Sequence, residues 1–229
     1  MATKKSANLL QVLGELLITA GLVLLLYVVW QVFVSDPIQN NSQQQQSTEY
    51  STQSEIEKRN FVEMRPNLKQ GAVFAKIYVP RFGKNYERLI GQGTFQKTTL
   101  NVIGVGHYVS SEWPGEAGNF ALAAHRTSHG APFANIDTLK AGDKVWIETN
   151  NQWFTYEYRQ TAIVDPTQVG VINNVPEGLR NAREGGHYLT ITSCHPKWSN
   201  KQRIVVWMAL VQTSDKAQGK PASLIEAQK

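Results

Sequence analysis

The fold is decided most clearly by residues 188–196, whose sequence is Tyr188-Leu189-Thr190-Ile191-Thr192-Ser193-Cys194-His195-Pro196. Successive side chains of a β-strand point to opposite faces of the sheet. If this segment is a strand, Leu189, Ile191 and Ser193 lie on one face, and Cys194 lies on the other with Thr190 and Thr192. Pro196 ends the hydrogen-bonding ladder, because proline has no backbone N–H. Cys194 therefore lies at a strand end, where a thiol at the rim of a sheet can meet a substrate.

Other segments have the short, β-branched or aromatic composition of strands and are separated by turns rich in glycine and proline. They are residues 73–79, 100–105, 119–124, 144–149, 152–158 and 203–211. Asn150 and Asn151 form a two-residue hairpin turn between two of these segments. One short helix is expected after Pro132, and helical periods are otherwise scarce. The pattern predicts an all-β domain that forms a closed or nearly closed β-barrel.

Length and composition favour one catalytic domain with accessory segments. The chain of 229 residues is long enough for one domain with a core. Its formal net charge of +5 suits an anionic membrane or cell wall. Nucleic acid is not expected as a partner, because the chain has no run of roughly five or six basic residues. The single cysteine excludes an internal disulfide and a zinc site built from several thiolates.

Residues 16–34 contain no charged side chain, and at ~1.5 Å rise per residue they cover about 28 Å. That length nearly matches the hydrocarbon thickness of a bilayer, so a retained transmembrane helix is predicted. A cleavable signal peptide is one alternative, but it usually has a shorter apolar core and a small-x-small cleavage site. A buried globular helix is another, although this segment is apolar on every face and a polar tract follows it.

The charges on either side of the apolar segment predict its orientation. Lys4 and Lys5 precede it, and the first charge after it is Asp36. The positive-inside tendency then places residues 1–15 in the cytoplasm and everything after Ser35 outside the cell.

The rest of the chain divides into a linker, a domain and a tail. Residues 35–69 are rich in polar side chains that cannot bury enough apolar surface to offset the entropy of ordering, so a flexible polar tether is predicted. A surface helix over residues 56–64 is the alternative. Residues 70–212 form the predicted catalytic barrel, and residues 213–229 are predicted to be a disordered tail.

Cys194 is the residue from which chemistry is predicted. A lone cysteine is more often an inert, buried small hydrophobe. This thiol, however, would face an oxidising exterior in a chain that also offers histidines, and Arg203 begins the following strand. A nucleophilic cysteine needs a base or cation that favours the thiolate, and acyl transfer needs a positive group or donors for the developing oxyanion. Histidine and arginine supply these two roles.

Among five histidines, His125 is the best candidate partner, because residues 119–124 deliver it to a strand end before a turn-rich segment. His195 adjoins Cys194, but neighbours along a strand point to opposite faces, so its imidazole should aim away from the thiol unless the backbone turns there. The other three are predicted to be surface or loop residues: His107, His129 and His187.

Arg203 has two interpretations. It is either a solvated charge at the start of a strand or a member of the site. A hairpin between strands 188–194 and 203–211 would set Arg203 near Cys194 at its open end.

Over residues 70–211 the chain resembles the sortase family in the order of three motifs. They are Thr190-Ile191-Thr192-Ser193-Cys194, which is similar to the TLxTC signature, Ala124-His125-Arg126-Thr127 upstream, and Arg203 nine residues after the cysteine. Ile191 and Ser193 replace the leucine and the second threonine of the signature, and both changes keep its chemistry. Three segments are similar to the class E sortases of actinobacteria: Gly106-His107-Tyr108, Pro114-Gly115-Glu116 and Gly118-Asn119-Phe120.

The resemblance implies an eight-stranded barrel with Cys194, His125 and Arg203 as catalytic residues. Cys194 would attack the Thr-Gly carbonyl of a C-terminal sorting signal on a secreted protein, and His125 would protonate the departing glycine amine. Arg203 would stabilise the oxyanion or orient the peptide. An amine of a peptidoglycan precursor would then take the thioacyl group, and no metal or organic cofactor is required.

Tyr108 and Ser193 are the predicted substrate-binding residues. Class E members are similar in preferring alanine after the leucine of the motif, LAxTG rather than LPxTG, and Tyr108 lies where that choice would be made. Two other functions stay open. One is a cysteine hydrolase on the same scaffold, in which water takes the thioacyl group. The other is a non-catalytic anchored barrel that binds wall polymer or a partner protein.

Overall fold

Eight β-strands close into one barrel in the computed structural model, which describes residues 9–56 and 61–229. The strands are β1 (Val73–Tyr78), β2 (Glu87–Gln92), β3 (Val105–His107), β4 (Gly118–Ala124), β5 (Lys144–Glu148), β6 (Gln152–Val164), β7 (His187–His195) and β8 (Gln202–Asp215). Around the barrel their order is β1, β2, β3, β4, β7, β8, β6, β5, and β5 pairs with β1 to close the sheet. The predicted eight-stranded all-β architecture is confirmed.

The direction of three neighbouring strands decides where a site can form. β4 and β7 pair in parallel, so the C-terminal ends of both lie at the same rim of the barrel. β8 runs antiparallel to β7, and its N-terminal end therefore meets that rim. Residues that follow β4, end β7 and begin β8 are consequently gathered in one place.

Two parts of the strand prediction are wrong. Strand β2 was not predicted, because its sequence begins with Glu87 and Arg88 and lacks an apolar-polar alternation. The predicted strand over residues 100–105 is also absent. A turn of π-helix (Gln96–Leu100) occupies its start, and β3 begins only at Val105.

The short helix expected after Pro132 is a single 3₁₀ turn, Ile136–Thr138. The hairpin at Asn150 and Asn151 is present, since Thr149 N donates to Gln152 O at 2.9 Å between β5 and β6.

Aromatic and branched side chains from the strands fill the barrel interior. Leu189 and Ile191 of β7 are fully buried there. They fix the register of the strand, because a shift by one residue would turn Cys194 towards the core. A second apolar cluster lies where the connection between β6 and β7 packs over β7 and β8. Its buried members are Val171, Leu179, Tyr188, Val205 and Trp207.

Helix α1 (Leu9–Trp30) precedes the barrel and overlaps the predicted membrane span. Its 22 residues rise about 33 Å at ~1.5 Å each, and none of them is buried against the rest of the protein. By length and composition the helix can cross a membrane. A turn of π-helix (Gln31–Ser35) follows it. Lys4 and Lys5, on which the predicted orientation rests, lie outside the described residues.

Helix α2 (Asp36–Ile56) replaces much of the predicted flexible tether, which is wrong over these residues. Its polar side chains find partners on the barrel. Asn40 accepts a hydrogen bond from Arg88, Ser47 donates to Glu87 at 2.9 Å, and Gln43 donates to the carbonyl oxygen of His129 at 3.2 Å. The polar helix therefore covers the charged strand β2, and neither element has an apolar pattern that sequence reasoning could detect.

A short helix, α3 (Phe61–Met64), and a 3₁₀ turn (Arg65–Asn67) lead into β1. They fall within or just after the surface helix considered over residues 56–64, of which residues 57–60 are outside the described part. Phe61 is buried and stacks on Phe74 with a centroid distance of 5.6 Å. The segment that leads into β1 is thus packed against the core through Phe61.

The C-terminal segment is ordered, so the prediction of a disordered tail is wrong. β8 continues to Asp215, and helix α4 (Ala222–Ala227) follows. Leu224 of α4 is fully buried in a cluster with three aromatic residues, Tyr78, Trp146 and Trp153. One apolar residue in a polar tail is too weak a pattern to predict this contact from the sequence.

Candidate active site

The ends of three neighbouring strands bring His125, Cys194 and Arg203 into one row. In the parallel pair of β4 and β7, Ala123 is opposite Thr192, so two residues further on His125 comes abreast of Cys194. In the antiparallel pair of β7 and β8, Cys194 is directly opposite Arg203. Neighbouring strands lie about 4.8 Å apart. The backbone positions of His125, Cys194 and Arg203 therefore lie side by side at one rim of the barrel.

Cys194 and His125 line one cleft of about 490 Å³. Cys194 is a free, partly buried cysteine, so its sulfur is open to a ligand in the cleft. The other lining residues are Arg126, Thr127 and Ser128, which follow His125, and Trp198, Ser199, Asn200 and Lys201 from the connection between β7 and β8. The cleft is large enough for a segment of extended peptide beside the thiol.

His125 is held by a residue that the sequence did not indicate. Its Nε2 lies 2.8 Å from Oδ1 of Asn101, and because an amide oxygen only accepts, Nε2 donates the proton. The imidazole of His129 lies 4.9 Å away between ring centroids. Burial, and secondly the neighbouring His129, lower the pKa of His125 below its ordinary value. A neutral His125 presents Nδ1 as a proton acceptor.

Arg203 is anchored by the backbone beside Cys194. Its Nη1 donates to the carbonyl oxygens of Asn200, at 2.8 Å, and Gln202, at 2.9 Å. A guanidinium has five N–H donors, so these two bonds fix the group and leave donors for the oxygen of a ligand. The prediction that hairpin pairing sets Arg203 next to Cys194 agrees with the register of the strands.

A second, narrower cavity of about 90 Å³ adjoins Arg203 on the outer face of β7 and β8. Tyr108 and Thr192 line it, and their hydroxyl oxygens are 3.1 Å apart. Most of the remaining wall is aliphatic, with Val164, Val169, Val171, Ile172 and Val205. The size and lining of this cavity suit one small aliphatic side chain.

Buried polar groups hold the wall of this cavity in place. The carbonyl oxygen of Val171 accepts a hydrogen bond from Nε1 of Trp207 at 3.1 Å. Asn119 donates to the carbonyl oxygen of Asn173 at 3.0 Å and accepts from Thr190 at 2.8 Å. Trp207, Asn119 and Thr190 are fully buried. The connection between β6 and β7 is therefore fixed on the barrel next to the site.

The two neighbours of Cys194 in sequence do not line the cleft. Ser193 is 4% exposed, and its hydroxyl donates to the carbonyl oxygen of Ala124 at 2.8 Å. That position does not support the predicted substrate contact, because alternation turns Ser193 towards the core. Nδ1 of His195 lies 2.9 Å from Nη1 of Arg126 and accepts from it, since a guanidinium only donates.

The remaining histidines divide between core and surface. His107 is only 1% exposed and packs against Trp113 and Phe120, so its predicted surface position is wrong. Burial lowers the pKa of His107 to about 4. His129 is partly buried beside His125, and His187 is exposed. Within residues 9–56 and 61–229, no three His, Cys, Asp or Glu side chains are grouped to hold a metal ion.

Comparison with known proteins identifies the family of the barrel. Residues 77–211 match the family model described as the sortase domain. The chain belongs to the sortase family. Family members are cysteine transpeptidases, and the only cysteine of this sortase is Cys194, which leaves one candidate nucleophile.

Similar proteins come from Streptomyces coelicolor. This sortase is 30% identical to Sortase SrtE1 over 93% of its own length and 60% of that relative, and 34% identical to Sortase SrtE2 over 91% of its own length and 84% of that relative. The chain thus spans less than two thirds of SrtE1. A crystal structure of Sortase E1 with a tripeptide in the active site is 31% identical, with a TM-score of 0.63 over 67% of this chain and 97% of that one. The resemblance to class E sortases is confirmed.

Proposed function

We propose that this sortase is anchored in a cell membrane and cleaves the Thr-Gly bond of a C-terminal sorting signal, transferring the protein to an amine of a cell-wall precursor. The observation that carries the proposal is the row formed by His125, Cys194 and Arg203 at one rim of the barrel. The solved Sortase E1 holds a tripeptide in its active site, which supports a peptide substrate.

The proposed chemistry uses three side chains in named roles. His125 takes the thiol proton of Cys194, and the thiolate attacks the threonine carbonyl carbon. The C–N bond to glycine breaks, and His125 returns the proton to the departing amine. The resulting thioester is attacked by an acceptor amine, which loses a proton to His125 as the new amide forms and the thiol is restored.

Arg203 is proposed to stabilise the negative charge that develops on the carbonyl oxygen. The anchoring of Nη1 on the carbonyls of Asn200 and Gln202 pre-organises the guanidinium next to Cys194, and fixed donors need no reorganisation during the reaction. Orienting the peptide is the second role that this position allows.

The aliphatic cavity beside Arg203 is proposed to receive a side chain of the sorting motif, whether LAxTG or LPxTG. Tyr108 and Thr192 both line that cavity, with their hydroxyl oxygens 3.1 Å apart, which supports a role for Tyr108 in recognising a residue of the motif. Ser193 is proposed to act indirectly, because its bond to Ala124 ties β7 to the residue before His125.

The N-terminal helix supports the proposed location. Helix α1 is proposed to be a retained single-pass anchor with its N-terminus in the cytoplasm and the barrel outside. Lys4 and Lys5 precede it, in accordance with the positive-inside tendency. Sharing a membrane plane with its substrates would raise their effective concentration.

The proposal is tested by incubating the full chain in detergent with a sorting-signal peptide, with and without an amine acceptor. A transpeptidase gives a peptide–amine conjugate only when the acceptor is present. A hydrolase gives the same cleaved acid in both reactions, which would favour the second candidate function. A binding barrel cleaves nothing, and its peptide binding survives in the Cys194→Ala variant.

A further inference from the structure

Arg126 connects the two strands that carry the proposed catalytic pair. It follows His125 directly, and its side chain is 3% exposed. Nη1 lies 2.9 Å from Nδ1 of His195 and 3.4 Å from the carbonyl oxygen of Cys194. Nη2 forms an ion pair with Oδ2 of Asp137 at 2.8 Å. The planar guanidinium thus connects the residue after β4 to the end of β7.

This connection begins where the backbone pairing stops. The last register pair between β4 and β7 is Ala123 with Thr192, so no ladder pair holds His125 abreast of Cys194. Beyond that pair the hydroxyl of Ser193 donates to the carbonyl oxygen of Ala124, and past His125 the side chain of Arg126 bridges the two strands at His195. A lysine has one charged nitrogen in place of a planar fork and cannot reproduce both sides of this bridge.

The backbone of residues 128–131, shortly after His125, is strained and would relax if its contacts were lost. Ser128, His129 and Ala131 have φ angles of 63°, 48° and 42°. Each is a non-glycine residue in the left-handed region, which costs of order 1 kcal/mol and persists only when the surroundings enforce it. Arg126, whose side chain is bound to His195 and Asp137, anchors the chain two residues before Ser128.

We infer that Arg126 is a positioning residue that keeps the imidazole of His125 aligned with the sulfur of Cys194. The inference deepens the proposed function and rests on the same catalytic pair. Arg126 does not itself react. Its ion pair with Asp137 fixes the guanidinium from the solvent side, since Asp137 is 48% exposed, and the bonds to His195 and Cys194 carry the alignment.

The experiment measures coupling between His125 and Cys194 without any substrate. Because the chain has a single cysteine, the rate of its alkylation by iodoacetamide at pH 7 reports on Cys194 alone. The rate is measured for the full chain in detergent and for its His125→Ala variant, and the same pair is then measured in an Arg126→Lys background. Near-ultraviolet circular dichroism checks that each variant is folded.

In the natural chain, His125→Ala is expected to change the alkylation rate at least about 5-fold. In the Arg126→Lys background the same substitution should change it less than about 2-fold, because the interaction between His125 and Cys194 is already lost. Arg81→Lys is the matched control. It makes the same change in another arginine–aspartate pair, with Asp143, and should keep the full coupling.

A second, milder variant protects the test against unfolding of Arg126→Lys. His195→Ala removes the shorter contact of Nη1 and keeps the ion pair, and it should lower the coupling at least about 2-fold. The inference is overturned if both Arg126→Lys and His195→Ala keep the full coupling. If Arg126→Lys does not fold, full coupling in His195→Ala alone overturns it. If His125→Ala has no effect in the natural chain, the catalytic pair itself fails, and the proposed function falls with the inference.

Discussion

Cys194 and Arg203 are register partners on the antiparallel strands β7 and β8, so the thiol and the guanidinium begin from directly opposed backbone positions. Their relation is set by the hairpin and not by a flexible loop. The bonds from Arg203 to the carbonyls of Asn200 and Gln202 add a second constraint. A site built on strand ends holds its groups more precisely than one built on loops.

Replacing Arg203 with lysine should lower kcat/KM for a sorting-signal peptide about 100-fold, the scale of losing a pre-organised oxyanion donor. Lysine keeps the charge but loses the planar fork that two carbonyls and a substrate oxygen can share. Steady-state kinetics measure the effect. Arg159→Lys, at an exposed pair with Glu157, should stay within about 2-fold. Equal activity of both variants would mean that charge alone suffices at Arg203.

The wall of the aliphatic cavity depends on Trp207. Trp207→Phe removes the donor to Val171 O and should raise KM about 3- to 10-fold with little change in kcat, on the scale of one lost hydrogen bond. Trp146→Phe is the control, because Nε1 of Trp146 is buried without a hydrogen bond among the described residues. An unchanged KM in Trp207→Phe would show that this wall does not contact substrate.

The buried His107 predicts a dependence of stability on pH. The pKa of His107 is lowered from 6.5 to about 4. Between these two pH values the imidazole is protonated in the unfolded chain and neutral in the folded chain. The stabilisation is therefore complete above pH 6.5 and is lost as the pH falls towards 4. Between pH 7.5 and 4.5 the loss is roughly 2–3 kcal/mol.

Chemical denaturation of the full chain in detergent, followed by tryptophan fluorescence, measures this effect. His107→Gln is less stable at neutral pH, but its free energy of unfolding should fall by roughly 2–3 kcal/mol less than that of the natural chain over the same interval. Parallel pH profiles for the two proteins would rule out His107 as the source.

Leu224 should anchor the C-terminal helix α4. Leu224→Ala removes a fully buried side chain from contact with Tyr78, Trp146 and Trp153 and should lower the free energy of unfolding by about 2–4 kcal/mol. Ile225→Ala, at the half-exposed neighbouring position, should change it by about 0.5 kcal/mol or less. If Leu224→Ala and Ile225→Ala both change the free energy of unfolding by only a small amount, helix α4 is only loosely attached to the barrel.

Local pattern was enough to predict the strands that build the rim. β7 and β8 have alternation or β-branched runs, and the hairpin between them predicts the pairing of Cys194 with Arg203. The approach of His125 follows from β4 by the same logic. The general site could therefore be placed from sequence because each candidate residue ends or begins a well-patterned strand.

Tertiary contacts explain what the sequence did not show. β2 is charged because a polar helix, α2, covers it, and neither pattern signals burial on its own. In the tail, Leu224 is buried in an aromatic cluster of the barrel, a contact that its isolated position in a polar segment does not signal. Arg126 stood in a recognised motif, yet its bonds to His195 and Cys194 depend on two strands meeting, which no local rule predicts.

The central claim is tested most directly by mass spectrometry of the acid-quenched enzyme after brief incubation with a sorting-signal peptide. A thioester on Cys194 is expected, with an added mass equal to that of the peptide acid ending at threonine minus one water. The adduct should disappear on addition of an acceptor amine and be absent from Cys194→Ala. Cleavage of the peptide by the natural chain without any acyl adduct on Cys194, or an adduct on another residue, would contradict the assignment of Cys194 as the nucleophile.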